Sequence, residues 1–534
     1  IQGSGTLNIE NTNADDGIDV YNSATLTIKD CNVNVTSPRA GIHGVDNETL
    51  IIDNATVTAT GTSSGSIHGF SAITLNGCFI SSPQDAKVFG GNVTDSFGNI
   101  IKDTVRIIPI VTYDLRICGV QVTNANKNDL SIIDGVEGTV TYNPDTETLR
   151  LENASIIDSS NNCGIFTEIM EMKIEVVGNN TVTSTTNHPG ISFNNTFFNS
   201  IEGDGTLTVN ATNNSAIYYS GNEMLAITNC TLNAFGSDCG IKGADFGHTF
   251  LFINNATVTA TGTSGGSIKD FMSIDLHRCF IYKPTGAVFN HEQRAICDTS
   301  GIVVKDTVRI MPTYDLKICG VPVTIANKDN LSVIDGVEGT VTYNPDTKTL
   351  RLEDANITLS GEVRGILSGI EGLKIEVVGN DTINSNGWSA IELHDSTNIL
   401  GSGTLIVNNP SNDHAAIWTC LGASLIIENC TLNVTGGKQG LGSGSNSGTL
   451  TINNATVTAT GTSSGSIHGF SAITLNGCFI SKPAGAKISG GNVTDTIGNI
   501  IKDTVRIIPI VTYDLRICGV QVTNANKNDL SIID

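Results

Sequence analysis

The sequence is short of several things, and each shortage excludes something. Lys and Arg number 29 against 52 Asp and Glu, a net charge of −23, which repels phosphate backbones and anionic lipid heads and so argues against nucleic-acid and membrane-surface binding. No run of about 18 apolar residues occurs, so no helix of this chain is expected to insert in a membrane. The opening Ile1-Gln2-Gly3-Ser4 is not a charged region leading into an apolar one, so any signal peptide is expected outside this segment. Neither Cys-x-x-Cys nor a His-rich spacing appears, which argues against a structural metal. Aromatic residues reach only 5%, with 2 Trp, which leaves few rings to stack on a ligand. Helical periodicity and helix caps are nearly missing as well.

What is present is repetition. Tyr-Asp-Leu-x-Ile-Cys-Gly-Val starts at Tyr113, Tyr314 and Tyr513, at spacings of 201 and 199 residues. Asn-Ala-Thr-Val-Thr-Ala-Thr-Gly-Thr-Ser starts at Asn54, Asn255 and Asn454, and Gly-x-Gly-Thr-Leu at Gly3, Gly203 and Gly401. Residues 99–134 recur unchanged as 499–534, so a period of two modules is superposed on the period of one. The markers divide the chain into the C-terminal part of a module (1–112), two complete modules (113–312 and 313–512) and the start of another (513–534). The last phrase, Ser531-Ile532-Ile533-Asp534, continues at its earlier copy into Gly135, so a longer array is expected.

Within a module, apolar triplets such as Leu350-Arg351-Leu352, Leu373-Lys374-Ile375, Leu405-Ile406-Val407, Leu425-Ile426-Ile427 and Leu450-Thr451-Ile452 recur, mostly 20–25 residues apart. Each is a period-2 strand bounded by turn-formers. Without helices to cover them, such strands bury their faces by stacking coil on coil. The expected fold is all-β: tandem right-handed parallel β-helix modules, about 23 coils in all at roughly 4.8 Å each, joined by small β subdomains at about 113–144 and its copies. After many triplets comes an Asn or Asp, a small residue, a polar one and an aliphatic, as in Asn54-Ala55-Thr56-Val57 and Asn229-Cys230-Thr231-Leu232. Stacked corner Asn side chains would bond to one another and hold the coils in register.

The 13 cysteines follow the same columns. Cys31, Cys78, Cys230, Cys279, Cys430 and Cys478 share the small position held by Ala55, Ala256 and Ala455, so they read as buried free thiols packed as small hydrophobes. Cys31 and Cys78 should stand two rises apart, roughly 9.6 Å, too far for a disulfide. Cys118, Cys319 and Cys518 form a further column whose pairing stays open.

Few residues suggest chemistry. Gly61-Thr62-Ser63-Ser64-Gly65 satisfies Gly-x-Ser-x-Gly, but no helix follows, so it reads as a turn rather than a nucleophile elbow. Asp15, Asp16 and Asp19 would supply oxygens to a hard cation such as Ca²⁺, the one cofactor the composition welcomes, or else form a solvated turn, since their counterparts Asn213-Asn214-Ser215 and Asn412-Asp413-His414 do not repeat the charges. Tyr218 and Trp418 follow Ile217 and Ile417, so strand alternation points them outward, where a ring can stack on a sugar. Asp19 occupies that place in the first copy. Asn-x-Ser/Thr sequons, Asn54-Ala55-Thr56 among them, are a by-product of Asn- and Thr-rich corners and are expected buried there. Asp103-Thr104-Val105, Asp306-Thr307-Val308 and Asp503-Thr504-Val505 resemble the acceptor of one bacterial O-glycosylation system, with Thr104, Thr307 and Thr504 as the acceptors.

The Gly-Ile, Leu-x-Ile and Asn-Ala-Thr-Val-Thr-Ala phrases, with Gly-Thr-Val-Thr-Tyr-Asn-Pro-Asp-Thr-x-Thr-Leu-Arg-Leu-Glu-x-Ala, resemble bacterial secreted or surface β-helix proteins described as carbohydrate-binding domain-containing. The resemblance covers most of each module and implies a fold like that of pectate lyases, a cell-surface or secreted location, and acidic polysaccharide with Ca²⁺ as a ligand. The Arg-x-Pro-x-x-Arg phrase of pectate lyases is matched only as the fragment Val105-Arg106-Ile107-Ile108-Pro109, and polygalacturonase phrases are missing. The expected function is therefore non-catalytic: an extracellular fibre, stalk or adhesin shaft on a bacterial surface, with neighbouring modules or further copies end to end as partners. A Ca²⁺-assisted polysaccharide-binding array is the alternative, and a polysaccharide lyase-like enzyme the second.

Overall fold

The computed structural model describes residues 1–532, apart from 46, 245–247, 360, 412, 421, 445–446 and 529. Strand makes up 57% of it and helix 2%. The chain winds about 18 turns of right-handed parallel β-helix in all. It falls into two compact units, Ile1–His277 with Lys283–Ile310, and Arg278–Tyr282 with Met311–Asp534.

One turn of the first module shows the rule. Thr25–Lys29 lies in a first sheet, the corner residue Asp30 turns the chain, Asn32–Ser37 lies in a second sheet, and Ala40–Gly44 lies in a third. The next turn repeats this at Thr49–Asp53, Thr56–Gly61 and Gly65–His68, with each strand parallel to its counterpart. Alternate residues face in: Leu50, Ile52, Val57, Ala59 and Ile67 have no accessible surface, and they join one apolar core. At roughly 25 cal/mol per Å², these inward columns are the main favourable term holding the coils together.

The corners carry the polar ladder expected of them. Asp30, Asn54, Asn229, Asn255, Asn429 and Asn454 all adopt φ between 45° and 57°, a left-handed conformation that Asn and Asp tolerate better than branched residues. Asn54 donates to Asp30 at 3.0 Å, Asn255 to Asn229 at 3.0 Å, and Asn454 to Asn429 at 3.1 Å. The ladder stands in solvent, so the expectation that corner sequon Asn residues are buried is corrected: a left-handed turn puts Cβ on the outside of the bend. The small column behaves as read, with Cys31, Cys78, Cys230, Cys279, Cys430 and Cys478 at most 9% exposed and all 13 cysteines free. Cys78 Sγ packs on the Ala55 backbone, 3.5 Å from its carbonyl, with the Ala55 coil between it and Cys31.

Two expectations change. Leu405-Ile406-Val407 belongs to the second sheet, in register with Leu432-Asn433-Val434, and the first-sheet strand of that turn is Thr397–Gly401, with Ile399 inward. Gly401, at φ 135°, takes the bend where other coils use Asn. The turns also number about 18, not 23, because part of every module forms no coil.

That part caps the stacks. Val136–Asn143 runs antiparallel to Thr148–Asp158, the first long strand of the stack that follows, and Val337–Asn344 does the same for Thr349–Thr358. Thr112–Ile117 turns back on Val120–Thr123 and closes the third sheet antiparallel to Ile165–Thr167. At the other end Val105–Pro109 lies antiparallel to Thr56–Gly61, and Val505–Pro509 to Thr456–Gly461. Antiparallel strands of this kind blunt the open edge that a parallel stack would otherwise present.

Candidate functional site

Third-sheet strands are short, three to five residues, and in each an inward aliphatic is followed by one outward residue. Ile42, Ile67, Ile165, Ile191, Ile217, Ile241, Ile268, Ile366, Ile391, Ile417, Leu441 and Ile467 have no accessible surface. Their followers therefore form a column on the outer side of the sheet, most of them part-exposed and Ser192, Glu392 and Gly442 covered by their neighbours. In the first module the column reads Asp19, His43, His68. In the second it reads Arg116, Phe166, Ser192, Tyr218, Lys242, Lys269, and in the third Lys317, Leu367, Glu392, Trp418, Gly442, His468. This outward ladder gathers chemistry that the sequence scatters, and each module carries a different set.

In the first module His43 Nδ1 lies 3.1 Å from Asp16 Oδ2 and 3.1 Å from Asp19 Oδ1. Asp16 precedes the strand and is almost wholly covered, its side chain 3% exposed, with Arg39 Nη1 3.4 Å from Oδ2. Asp16 Oδ1 is buried with no hydrogen-bond partner. Asp16 reaches this place because Gly17 packs against the next coil, where a Cβ would lie 2.3 Å from Val35 Cγ1 and 2.7 Å from the Gly41 carbonyl oxygen. Of the three aspartates read as cation ligands, Asp16 and Asp19 come together and Asp15 does not join them. Asp15 sits in the exposed turn, where its carbonyl accepts from Ser37, and His43 takes its place in the cluster. His68 stacks on His43 with ring centroids 4.7 Å apart, and burial, followed by the neighbouring His43, holds its pKa below the ordinary value.

The second-module ladder forms one side of a groove of about 520 Å³ lined by Arg116, Phe166, Ser192, Tyr218, Lys242 and His188, among others. Along the ladder the order is cation, ring, hydroxyl, ring, cation. At about 4.8 Å per coil, Arg116 and Lys242 stand roughly 19 Å apart. Lys242 pairs with Asp238 at 3.3 Å, and burial acts first on Asp238, opposing its charge, but Lys242 outweighs it and holds the carboxyl below its usual range.

In the third module Glu392 is the hub, 7% exposed. Arg364 Nε donates to Oε2, and His394 Nε2 lies 2.9 Å from Oε1. Burial opposes the charge of Glu392, but the bonds from Arg364 and His394 win and keep it below the ordinary carboxylate value. Arg364 also lies over the ring of Trp388, 4.6 Å from its centroid. Trp418, next on the ladder, is half-buried, and its ring lies over Gly442 and Gly444, whose added Cβ atoms would come within 3.0 and 3.3 Å of it. Tyr218 opens on a groove, whereas Trp418 is laid against the neighbouring coil.

Two other sequence features find structural places. Thr104, Thr307 and Thr504 stand immediately before the capping strands, and their hydroxyls bond to those of Thr60, Thr261 and Thr460 at 2.9, 3.0 and 3.0 Å. Each also donates its N–H to the preceding Asp, so the Asp-Thr-Val phrase has a role in closing the stack. Gly61-Thr62-Ser63-Ser64-Gly65 is the turn between the second and third sheets, with Ser63 N–H donating to the Pro38 carbonyl at 3.1 Å.

Sequence reasoning missed His43, Glu392 and Arg364. For His43 and Glu392 the signal was there in the position after the inward Ile, which it used for Tyr218, Trp418 and Asp19 only; Arg364, two residues before Ile366, carries no such mark. Compared with family models, curated proteins and solved structures, the chain matches none.

Proposed function

We propose that the chain is a non-catalytic extracellular structural repeat protein, a fibre, stalk or adhesin shaft on a bacterial surface. One observation supports the reading: the inward columns, corner ladder and antiparallel caps recur from module to module, whereas among the described residues no outward cluster does. A repeated enzyme or binding array would repeat its site. Immunogold electron microscopy of producing cells with an antibody to this chain tests it. Label along material projecting from the cell surface is the expected result, and label confined to the cytoplasm overturns it.

A second reading, binding of acidic polysaccharide, is favoured by the second-module groove alone. Two rings flanked by Arg116 and Lys242 in a chain of net charge −23 suit a ligand with apolar sugar faces and carboxylates. Retardation in gels containing polygalacturonate, lost on Tyr218→Ala with the melting midpoint unchanged, supports it. Equal retardation of the variant and the parent excludes this groove.

A further inference from the structure

We propose that Asp16, Asp19 and His43 form a binding site for one borderline divalent transition-metal ion of the Zn²⁺, Co²⁺ or Ni²⁺ type, and not for Ca²⁺. The three donor atoms lie within 4.8 Å of one another, with two of the separations at 3.1 Å. Tetrahedral bonds of about 2.0–2.1 Å separate neighbouring ligand atoms by about 3.3 Å, so an ion fits with small side-chain adjustments. The positions are held by the scaffold: Asp19 and His43 are register partners on adjacent strands, and Gly17 seats Asp16 against the coil beneath.

The independent observation is the buried, unpartnered Oδ1 of Asp16, on a side chain 3% exposed. A carboxylate oxygen shut off from water without a donor is costly, and a cation at the cluster compensates the charge directly. Without an ion, that work falls to Arg39, whose side chain is 48% exposed and so has room to swing away. His68 lies beside His43 on the next strand, its ring tilted against it at 4.7 Å between centroids, which helps to fix the His43 ring.

Donor chemistry sets the selectivity. Ca²⁺ takes six to eight oxygens, whereas one imidazole and two carboxylates suit Zn²⁺ and its neighbours, with the remaining positions left to water. Among the described residues the other His-containing cluster, Glu392, His394 and Cys420, lacks the orphaned oxygen: Arg364 donates to Oε2 and His394 lies 2.9 Å from Oε1, so neither Glu392 oxygen is left without a partner. It is therefore an internal control.

The test uses the untagged full chain, titrated calorimetrically with ZnCl₂ and CaCl₂ and spectroscopically with CoCl₂. One Zn²⁺ per chain is expected, unaffected by excess Ca²⁺. Co²⁺ should give visible d–d bands and no sulfur-to-metal charge-transfer band in the near ultraviolet. His43→Gln and Asp19→Asn should each weaken Zn²⁺ by about tenfold or more, while His394→Gln leaves it unchanged. Circular dichroism confirms that each variant is folded, and two variants in different strands guard against the loss of either. Undiminished Zn²⁺ binding in both variants, displacement by equimolar Ca²⁺, a charge-transfer band from thiolate, or no binding by the parent chain each overturn the proposal.

Discussion

At the corner of each coil the conformation and the hydrogen bond select the same residue. Asn255 holds φ 47° and donates to Asn229, and a β-branched residue there pays the left-handed penalty of about 1–2 kcal/mol besides losing the bond. Asn255→Val should therefore lower the urea midpoint by an amount worth about 2 kcal/mol, while Asn255→Gly, free of the steric cost, should lose less than half of that. Equal losses for the two would show that the side-chain bond alone matters. The thiols make a second residue-scale prediction. Burial pushes Cys118, Cys163, Cys319 and Cys430 up to about 11, and Cys230 and Cys239 up to about 12. An acid whose pKa is raised by folding keeps its proton longer in the native state. Its stabilisation is whole below the unfolded thiol value of about 8.5 and drains away as pH climbs toward 11–12. The denaturation midpoint should thus fall more between pH 9 and pH 11 than between pH 7 and pH 9, comparing about equal two-unit steps. Cys230→Ala, which installs the residue found at Ala55 and Ala256, should make that fall shallower; an unchanged slope would assign the loss to other groups.

At the scale of the element, the turn from second to third sheet leaves no room for a side chain. A Cβ on Gly262 would lie 2.2 Å from the Gly266 carbonyl oxygen and 2.6 Å from Cys239 Cα, and Gly61 and Gly461 meet the same wall, each 2.2 Å from the carbonyl oxygen of Gly65 or Gly465. These contacts are backbone, so nothing flexible gives way. Gly262→Ala should cost about 1–3 kcal/mol, read as a lowered melting midpoint, whereas Gly301→Ala, with open space around it, should cost less than about 1 kcal/mol beyond the strain of its φ of 77°. A smaller loss at Gly262 than at Gly301 would contradict the close packing of that turn. Elements of this kind were legible in the sequence because stacking forces identity: Ile and Val must recur where Ile and Val lie above and below. The same logic hid the candidate sites. Asp19, Tyr218 and Glu392 stand on the outer side of the sheet, where stacking demands no repeated residue, so their identities change from coil to coil although their position beside the stacked aliphatic recurs. Leu405 shows the converse limit, since its apolar triplet looks alike on the first and second sheets and only the pairing with Leu432 places it.

For the whole molecule the dominant electrostatic fact is the excess of acids, 52 against 29 bases. Some of the bases are spent in exposed pairs on the first sheet, Arg150 with Glu152 and Glu175, Lys173 with Glu202, and Arg351 with Glu353 and Glu376. Such pairs are worth about 0–1 kcal/mol each, and salt weakens them. Salt also weakens the repulsion among the unpaired carboxylates, which opposes the compact state throughout the chain. The two effects have opposite signs, and the number of groups on each side decides between them. With a net −23 spread over the surface, screening of repulsion outweighs the loss of a few exposed pairs. Raising NaCl from about 10 to about 300 mM, which shortens the screening length from roughly 30 Å to under 10 Å, should therefore raise the melting midpoint. A fall instead would mean that the first-sheet ion pairs hold the coils together more strongly than their exposure implies, and Arg150→Gln would then remove much of the salt response.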